Sequence, residues 1–559
     1  MDTRRLVLFV IFSFSIMMLW DAWQQRNHPK LTAQQEIQQQ SQQQAQQTSA
    51  ANVAGNFNST TLPDGAFKLE QGQRIKVSTD LFQAEIDTVG GDLRRLTLNK
   101  HLASNIKEGN FVLMDDAQKP MLYIAQTGLL GTNLPNHKAV FTSINKSYAL
   151  AEGAESQQVR LSWAGNGITV DKVYTFHRAS YVVDVDYEIN NGTATNILPS
   201  AYYQIVHDDK SKQGSALMPT FTGGAYFTDI DKFKKVKFAD MEKEPLSKTS
   251  KDGWIGVIEH YFASAWIIGA GQTRELSTKK LADDIFAVRA VLPAVNIAAG
   301  AKAEIKAKLF AGPQTATDLA AAAPGLEYAV DYGWLTVVAK PLFWVLSQIH
   351  ALVRNWGVAI ILLTVLIKAA FYPLSAKSYR SMAQMRELAP RLQSMKEKFG
   401  DDKQKMQQAM MEMYRTEKIN PMSGCLPILV QVPVFIALYW MILGTVELRH
   451  APFFGWIQDL SAPDTLFGTL PWLNMPIGLL PILMGATMII QTFLNPPPTD
   501  PIQAQVMKVM PVVFSIFFFF FPAGLVLYWL VNNILSIAQQ WYVNKTIHAA
   551  AVAKKGNAK

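Results

Sequence analysis

The chain has 559 residues, of which 49% are hydrophobic and only 17% charged, against about 25% in ordinary soluble proteins. The charges are missing from residues 6–20 and from most of the C-terminal third, which excludes a purely soluble protein and a disordered chain. The single cysteine, Cys425, excludes a disulfide-bonded scaffold, and the net charge of +8 has to be interpreted through its distribution along the chain.

The N-terminus is predicted to be an uncleaved transmembrane anchor over residues 1–23. Arg4 and Arg5 precede an uncharged run that ends in tryptophans, and no small-residue cleavage site follows it. A cleaved signal peptide is the alternative. Residues 24–64 are rich in glutamine and have too little apolar surface to form a core, so they predict a flexible tether.

Residues 65–325 show the period-two alternation of strands, most clearly over 181–189, 285–291 and 303–310. The region predicts a large antiparallel β-sandwich. The cluster His207-Asp208-Asp209 is a candidate catalytic or metal site. Because no second histidine stands at ligand spacing, the favoured interpretation is a polar loop.

The C-terminal third contains long uncharged runs, among them 28 residues between Lys418 and Glu447. Such runs predict transmembrane helices near 355–373, 425–444, 473–492, 503–521 and 524–543, which with the anchor make six. Residues 326–352 are predicted to include an amphipathic helix that lies in the outer interface, with Trp334 and Trp344 as anchors.

The basic residues predict the orientation of these helices. Residues 374–424 contain ten Lys and Arg, whereas the loop 445–472 contains one, Arg449. The positive-inside rule therefore places 374–424, the basic tail 546–559 and both termini in the cytoplasm, and the β domain outside, in the periplasm of a Gram-negative cell.

Lys368 is a charged residue inside a predicted transmembrane helix, where a lysine is energetically costly. The functional hypothesis is that Lys368 lines a wet cavity together with polar residues of its own and neighbouring helices: Thr364, Gln431, Tyr528, Asn532 and Ser536. Thr487 and Gln491 repeat this spacing in the helix near 473–492 and support the same hypothesis. The alternatives are snorkelling of Lys368 to the cytoplasmic interface and polar hydrogen bonding between packed helices.

Residues 376–420 are basic and helix-forming, with a break at Gly400-Asp401-Asp402, and predict a cytoplasmic helical hairpin. Apolar stripes that include Met382, Met385 and Met395 are expected to hold its two arms together. The sharper alternative is an adaptable methionine surface for hydrophobic segments of other proteins, beside the charges of Arg380 and Arg386, which could meet anionic lipid or ribosomal RNA.

Several motifs in order carry a family resemblance: Asn355-Trp356-Gly357, Tyr372-Pro373-Leu374 after Lys368, Asn420-Pro421-Met422-Ser423-Gly424-Cys425-Leu426-Pro427, Gln431-Val432-Pro433-Val434-Phe435 and Gly524-Leu525-Val526-Leu527-Tyr528-Trp529. With them, residues 355–545 resemble the YidC/Oxa family of membrane protein insertases. The anchor, tether and β domain resemble the Gram-negative bacterial form. The family usually has arginine where this chain has Lys368.

The resemblance implies a five-helix insertase core over 353–545 with a hydrophilic groove open to cytoplasm and lipid, and a periplasmic β-supersandwich. It implies an insertase and chaperone, not an enzyme, without cofactor or metal, that inserts clients past Tyr528, Trp529 and Phe435. The implied partners are nascent membrane proteins, the Sec translocon, transiently the ribosome, and anionic lipids, with no recognition of a nucleic-acid sequence. A solute transporter and an anchored sugar-binding enzyme are the rival hypotheses.

Overall fold

The structure is a computed structural model that describes residues 67–103, 109–116, 122–210, 220–399, 402–417, 426–495 and 501–556. The predicted anchor 1–23 and the predicted tether 24–64 lie entirely outside these ranges. So do the centre of the predicted hairpin turn and the motif that runs from Asn420 to Cys425.

The β domain consists of two large sheets. Its strands are β1 Arg74–Ser78, β2 Phe82–Asp87, β3 Asp92–Leu102, β4 Asn110–Met114, β5 Tyr123–Leu130, β6 Ser147–Ala149, β7 Ser156–Gly165, β8 Ile168–His177, β9 Val182–Asn191, β10 Ser200–Asp208, β11 Gly223–Thr228, β12 Lys232–Val236, β13 Ser247–Ser250, β14 Trp254–Ile258, β15 Phe262–Ile268, β16 Arg274–Ala282, β17 Ile285–Val291 and β18 Lys302–Pro313. One sheet has the order β13-β16-β17-β10-β5-β3-β2-β1-β6 with β4 on β3, and the other β12-β11-β14-β15-β18-β9-β8-β7. Apart from the β1–β6 pair, the strand pairs described are antiparallel.

The period-two alternation of the sequence sets which residues form the core of this domain. In β9 the alternate side chains Val183, Val185, Tyr187 and Ile189 are buried, while Glu188 faces solvent. Large aromatic side chains such as Trp266 fill the same core. The predicted β-sandwich over this region is therefore confirmed.

The interpretation of His207-Asp208-Asp209 as a polar loop is wrong, because His207 and Asp208 are the last residues of β10 and are buried. The Nε2 atom of His207 lies 3.0 Å from Oε1 of Glu259. Burial alone would lower the pKa of His207, but the hydrogen bond to Glu259 raises it above the ordinary value. Glu259 is far away in the sequence, so the local pattern could not reveal this partner.

Gly253, between β13 and β14, is a position where a side chain should be strongly destabilising. Its φ of +89° disfavours other residues, and an added Cβ would lie 1.8 Å from the carbonyl oxygen of Phe227. We expect Gly253→Ala to lower the stability of the β domain by about 3 kcal/mol or more, measured by thermal unfolding of the full chain.

Gly271 provides the matched control for this substitution. It has a similar φ of +80°, but no atom lies within 4 Å of the position that an added Cβ would take. Gly271→Ala should therefore lower the free energy of unfolding by only about 1 kcal/mol, the cost of a positive φ in a residue with a side chain. Equal losses of stability in the two variants would contradict the steric argument.

The remainder of the chain is mainly helical. Its helices are α1 Phe238–Lys243 and α2 Ala316–Ala322 within the β domain region, then α3 Thr336–Val353, α4 Trp356–Ala370, α5 Tyr372–Glu387, α6 Ala389–Phe399, α7 Lys403–Thr416, α8 Leu426–Gly444, α9 Leu479–Leu494, α10 Pro501–Phe518 and α11 Ala523–Gly556. A small hairpin of β19 Thr469–Leu470 and β20 Met475–Pro476 precedes α9. Helix α11 packs on α4, α5 and α9 and is the centre of the bundle.

The five helices predicted in the C-terminal third are present, with corrected ends. The β19–β20 hairpin delays the start of α9 to Leu479, whereas the prediction began at 473. Pro522 separates α10 from α11, as expected. Helix α11 continues through the predicted basic tail to Gly556, because the alanines of that tail favour a helix.

The number of membrane spans is not fixed by helix lengths alone. Among the described residues, one helix, Thr336–Val353, is long and apolar enough to cross a bilayer by itself. Helices α4 and α5 pass the same criterion together but are bent by 67° at the break between Ala370 and Tyr372. The apolar segments Gln431–Gly444, Leu479–Leu494 and Gln505–Phe518 are shorter. The total of six spans stays a prediction, as does the interfacial position of α3.

The β domain contacts the helical region around the end of α8. His260 donates a hydrogen bond from Nε2 to the carbonyl oxygen of Leu443, 2.8 Å away, in the last turn of α8. Just beyond this turn, Arg449 donates to the carbonyl of Leu102 at 2.6 Å. Its guanidinium also lies over the rings of three aromatic residues of the β domain, at 5.1, 5.9 and 5.4 Å: Phe111, Tyr261 and Phe262.

Candidate functional site

The start of α4 determines where Lys368 lies. The side chain of Asn355 caps the helix by accepting a hydrogen bond from the amide of Val358 at 3.0 Å. In the first turn, Gly357 lets the loop residue Phe453 approach, since an added Cβ would lie 2.0 Å from its ring. From this fixed start the helix carries Thr364 and, one turn later, Lys368 on the side that faces α11.

Lys368 is held by a hydrogen bond and not by a carboxylate. Its Nζ atom donates to Oγ of Ser536 on α11 at 2.6 Å, and this hydroxyl donates to the carbonyl of Asn532 at 2.7 Å. No acidic side chain of the described part of the chain lies within ion-pair distance of Lys368. The side chain is half-buried, so the charge is partly desolvated without a counter-ion.

A small cavity of about 30 Å³ adjoins Lys368. Helices α4, α5, α8 and α11 all contribute to its wall, which consists of Ile367, Lys368, Phe371, Leu374, Ser375, Gln431, Val434 and Asn532. This space is enough for about two water molecules. The expected combination of Lys368, Gln431 and Asn532 around one polar cavity is therefore present, although the cavity is much narrower than a groove for a polypeptide.

Two of the predicted groove residues face the inside of the bundle. Thr364 is 1% exposed, and its hydroxyl donates to the carbonyl of Ile360 in its own helix at 2.7 Å. Tyr528 is also 1% exposed, and its hydroxyl faces Gln431 on α8. Neither side chain is accessible to another protein unless the helices separate.

Phe435 and Trp529 pack against each other at the interface of α8 and α11. Their rings meet edge to face with centroids 4.6 Å apart, and Phe518 of α10 lies 5.5 Å from the Trp529 ring. Both side chains are only partly buried. The structure thus brings these two predicted residues together as one aromatic patch on the bundle.

The polar residues between α9 and α11 are structural. Asn533 donates to the hydroxyl of Thr487 at 3.2 Å, and Gln540 donates to the carbonyl of Leu494 at 3.2 Å. These are the interhelical hydrogen bonds that stabilise membrane helix pairs. Thr487 therefore takes part in a hydrogen bond between packed helices, as the alternative interpretation of these polar residues expected.

Helix α5 contributes residues to the site that the sequence reasoning missed. Ser375, Ser378 and Tyr379 are buried, and Tyr379 faces the same Ser536 that binds Lys368. Their spacing of three and four residues puts them on one helix face, which is the signal that could have indicated their packing on α11. The pattern was obscured by the neighbouring charges Lys377 and Arg380.

The predicted two-armed hairpin is in part wrong. The first arm is two helices, because Pro390 ends α5 near Leu388 and begins α6. Only α6 pairs with α7, with an ion pair of 2.9 Å between Arg391 and Glu417, whereas α5 packs on α11. Met382 and Met385 on α5 and Met395 on α6 are half-buried, and the guanidinium-bearing residues Arg380 and Arg386 are exposed.

No group of three or more potential metal ligands occurs among the described residues. The site is a polar and aromatic surface between helices. It brings together the ammonium group of Lys368, the hydroxyl of Ser536 and the amides of Gln431 and Asn532. Such a surface can exchange hydrogen bonds with a polar peptide segment.

Known proteins resemble this chain over its whole length. A family described as the YidC periplasmic domain matches residues 74–345, and one described as the 60Kd inner membrane protein matches 348–550. A membrane protein insertase YidC of Methylobacillus flagellatus is 61% identical over 562 residues, which cover 100% of both chains.

The chain belongs to the YidC family of membrane protein insertases.

A second relative agrees with this assignment. The YidC insertase of Aromatoleum aromaticum is 48% identical and covers 98% of both chains. The two relatives and the two family matches confirm the function predicted from the motifs, insertion of membrane proteins, together with a periplasmic β-sandwich domain, a helical C-terminal region and localisation in the inner membrane. The chain is also similar to a crystal structure of an active YidC insertase, which covers 85% of this chain and 93% of its own, at 19% identity and a TM-score of 0.39.

Proposed function

We propose that this YidC protein inserts its clients through the polar surface around Lys368. A hydrophilic client segment enters from the cytoplasm between α4, α5, α8 and α11. Lys368 and the neighbouring hydroxyl and amide groups replace part of its hydration, which lowers the free energy of crossing. The apolar segment of the client leaves past Phe435 and Trp529 into lipid, driven by hydrophobic burial.

The observation that carries this proposal is the hydrogen-bonded but otherwise unpaired charge of Lys368. A lysine at such a position costs about 2.5–3.5 kcal/mol during membrane insertion. Bonding between helices does not need a full charge, as the neutral Asn533–Thr487 pair demonstrates. A cation without a counter-ion is best explained by a partner that arrives from outside, such as an acidic client segment.

The cavity of about 30 Å³ implies that the groove opens only when a client is present. Its wall combines half-buried residues of α8, including Gln431 and Val434, with α11, which is fixed to α9 by hydrogen bonds. The wall formed by α8 is therefore the one that can move. This also explains why Tyr528 can contact a client although it is buried in the closed state.

The topology that fits this route has six spans with both termini in the cytoplasm. The exposed Arg380 and Arg386 on α5, beside the half-buried Met382 and Met385, then face the cytoplasm. This surface has the charge to meet ribosomal RNA or anionic lipid and the apolar side chains to meet an emerging client. We propose the Sec translocon as a further partner, on the basis of the family alone.

Site-specific photocrosslinking tests the route directly. A photoreactive residue at Val434 lines the cavity while Lys368 remains intact, and the same residue at Ile516, exposed on α10, serves as the control. We expect a stalled nascent membrane protein to crosslink to position 434 and not to position 516. Equal yields at both positions would exclude the groove as the route.

A further inference from the structure

Two connected pockets lie where the β domain meets the ends of α3 and α8. The first has a volume of about 300 Å³ and is bordered by Lys235, Lys237 and, from α8, Trp440. The second, of about 620 Å³, is bordered by Lys232, Lys234 and, from α3, Lys340. Lys235 and Asp331 line both, so the two pockets form one surface, which we call the β12 basic surface.

The β12 basic surface has an excess of positive charge. Five lysines line it, against the two carboxylates of Asp331 and Glu259. Both carboxylates already have partners: Asp331 is 2.7 Å from Nζ of Lys235, and Glu259 is 3.0 Å from the His207 ring. Within the described part of the chain, the other four lysines have no carboxylate at ion-pair distance.

Apolar and aromatic groups accompany these charges. Nζ of Lys340 lies 5.1 Å from the ring centre of Tyr328, and Nζ of Lys235 lies 4.8 Å from that of Phe221. Lysines on an edge strand such as β12 also prevent pairing with other strands. That role does not account for Lys340, which belongs to a different element, nor for the volume enclosed between the elements.

The position of this surface indicates its ligand. Gly444 is the last residue of α8 and lines the first pocket, so in the proposed topology, on which this inference rests, the pocket lies where this helix leaves the membrane towards the periplasmic domain. Helix α3, beside the second pocket, exposes apolar side chains, with Val337 at 84% and Trp344 at 64%. At this depth the chemical group with negative charge and attached apolar chains is a phospholipid headgroup.

We propose that the β12 basic surface binds the phosphate headgroup of an anionic phospholipid from the outer leaflet of the inner membrane. The lysines on β12, the adjoining Lys237 and Lys340 contact the phosphate, while the acyl chains extend along Trp440 and the apolar face of α3. The headgroup thereby connects the β domain to the bilayer next to the helices that it contacts.

Native mass spectrometry of the full chain in detergent tests this proposal. The protein is loaded with phosphatidylglycerol, and retained lipid is counted for the double variant Lys237→Glu, Lys340→Glu. We expect at least about tenfold weaker retention, because each lysine near an anionic lipid contributes about a fivefold factor. The double variant Lys237→Arg, Lys340→Arg should retain lipid as the parent does, since charge alone is required.

The control is the double variant Lys76→Glu, Lys302→Glu, which makes the same charge change at two exposed positions elsewhere on the β domain. Three strands separate β18, which holds Lys302, from β12, a distance of about 19 Å. Retention should be unchanged in this control. A Lys237→Gln, Lys340→Gln variant, expected to be intermediate, replaces the Glu variant if thermal unfolding shows that the latter is not folded.

Other results would overturn the proposal. Unchanged retention in the Glu and Gln variants would exclude this surface, and would leave an acidic protein as its occupant. If the Lys76→Glu, Lys302→Glu control lost as much lipid as the Lys237→Glu, Lys340→Glu variant, only the net charge of the protein would matter. If the parent retained phosphatidylcholine as well as phosphatidylglycerol, an anionic headgroup would not be required. Displacement of the lipid by inorganic phosphate at millimolar concentration would indicate a site for free phosphate.

Discussion

Lys368→Glu is expected to reduce the insertion of clients whose translocated segment is acidic at least about tenfold. This factor follows from the order-of-magnitude Coulomb energy of a charge pair. The substitution replaces attraction by repulsion inside a half-buried cavity. It also removes the ammonium donor to Ser536, which lies 2.6 Å away. Protease protection of a newly made client, in cells depleted of their own insertase, measures the effect.

Two variants control this experiment. Lys368→Arg keeps the charge and should retain most of the activity, although its planar donor group differs. Lys508→Glu makes the same charge reversal at an exposed position on α10, and should leave insertion unchanged. Normal insertion of acidic clients by Lys368→Glu would refute the proposed role of the charge.

Arg449→Ala should have the second largest effect, by loosening the β domain from the end of α8. The variant loses a charged hydrogen bond to Leu102 and contacts with three aromatic rings. We expect the free energy of unfolding to fall by about 3 kcal/mol. The hydrogen bond accounts for about 2 kcal/mol of this and the ring contacts for the rest. Thermal unfolding measures the loss, and limited proteolysis should cut the variant faster near this junction.

Arg160→Ala is the control for Arg449→Ala. It shows what the loss of an arginine costs when that arginine does not join the β domain to the helices. Arg160 forms ion pairs with Asp171 and Glu188 on the surface of the β domain, at 2.8 and 2.5 Å. Because surface ion pairs contribute about 0–1 kcal/mol, this control should be close to the parent in stability. If Arg449→Ala and Arg160→Ala were equally stable, the junction would not depend on the guanidinium of Arg449.

Patterns local in the sequence predicted most of the fold. The alternation along β9 identified its buried face, and the uncharged runs located α4, α8 and α10 to within a few residues, whereas the start of α9 and the end of α11 were misplaced. The errors came from local signals that compete. Pro390 divides into two helices an arm that was expected to be one. The polar residues His207 and Asp208 were interpreted as a loop, although they end a buried strand.

The sequence predicted that several polar residues lie together around Lys368, but not that the space between them is as small as about 30 Å³. Lys368, Gln431 and Asn532 do border one cavity, because a charge in an apolar helix needs polar neighbours. The contribution of α5 was missed, since Ser375 and Tyr379 become buried only through packing on α11. Contacts such as that of Arg449 with Leu102 join residues 347 positions apart, so no local pattern encodes them.

Helix α8 is held very differently at its two ends. Its last turns are buried and receive the hydrogen bond of His260, whereas the segment from Gln431 to Ile436 is only half-buried. Pro433, within this half-buried segment, lacks an amide hydrogen, so the helix is missing one internal hydrogen bond there. In the proposed insertion route, α8 therefore bends at this proline, so that the part with Gln431 moves away from α11 while the turns held by His260 keep their place.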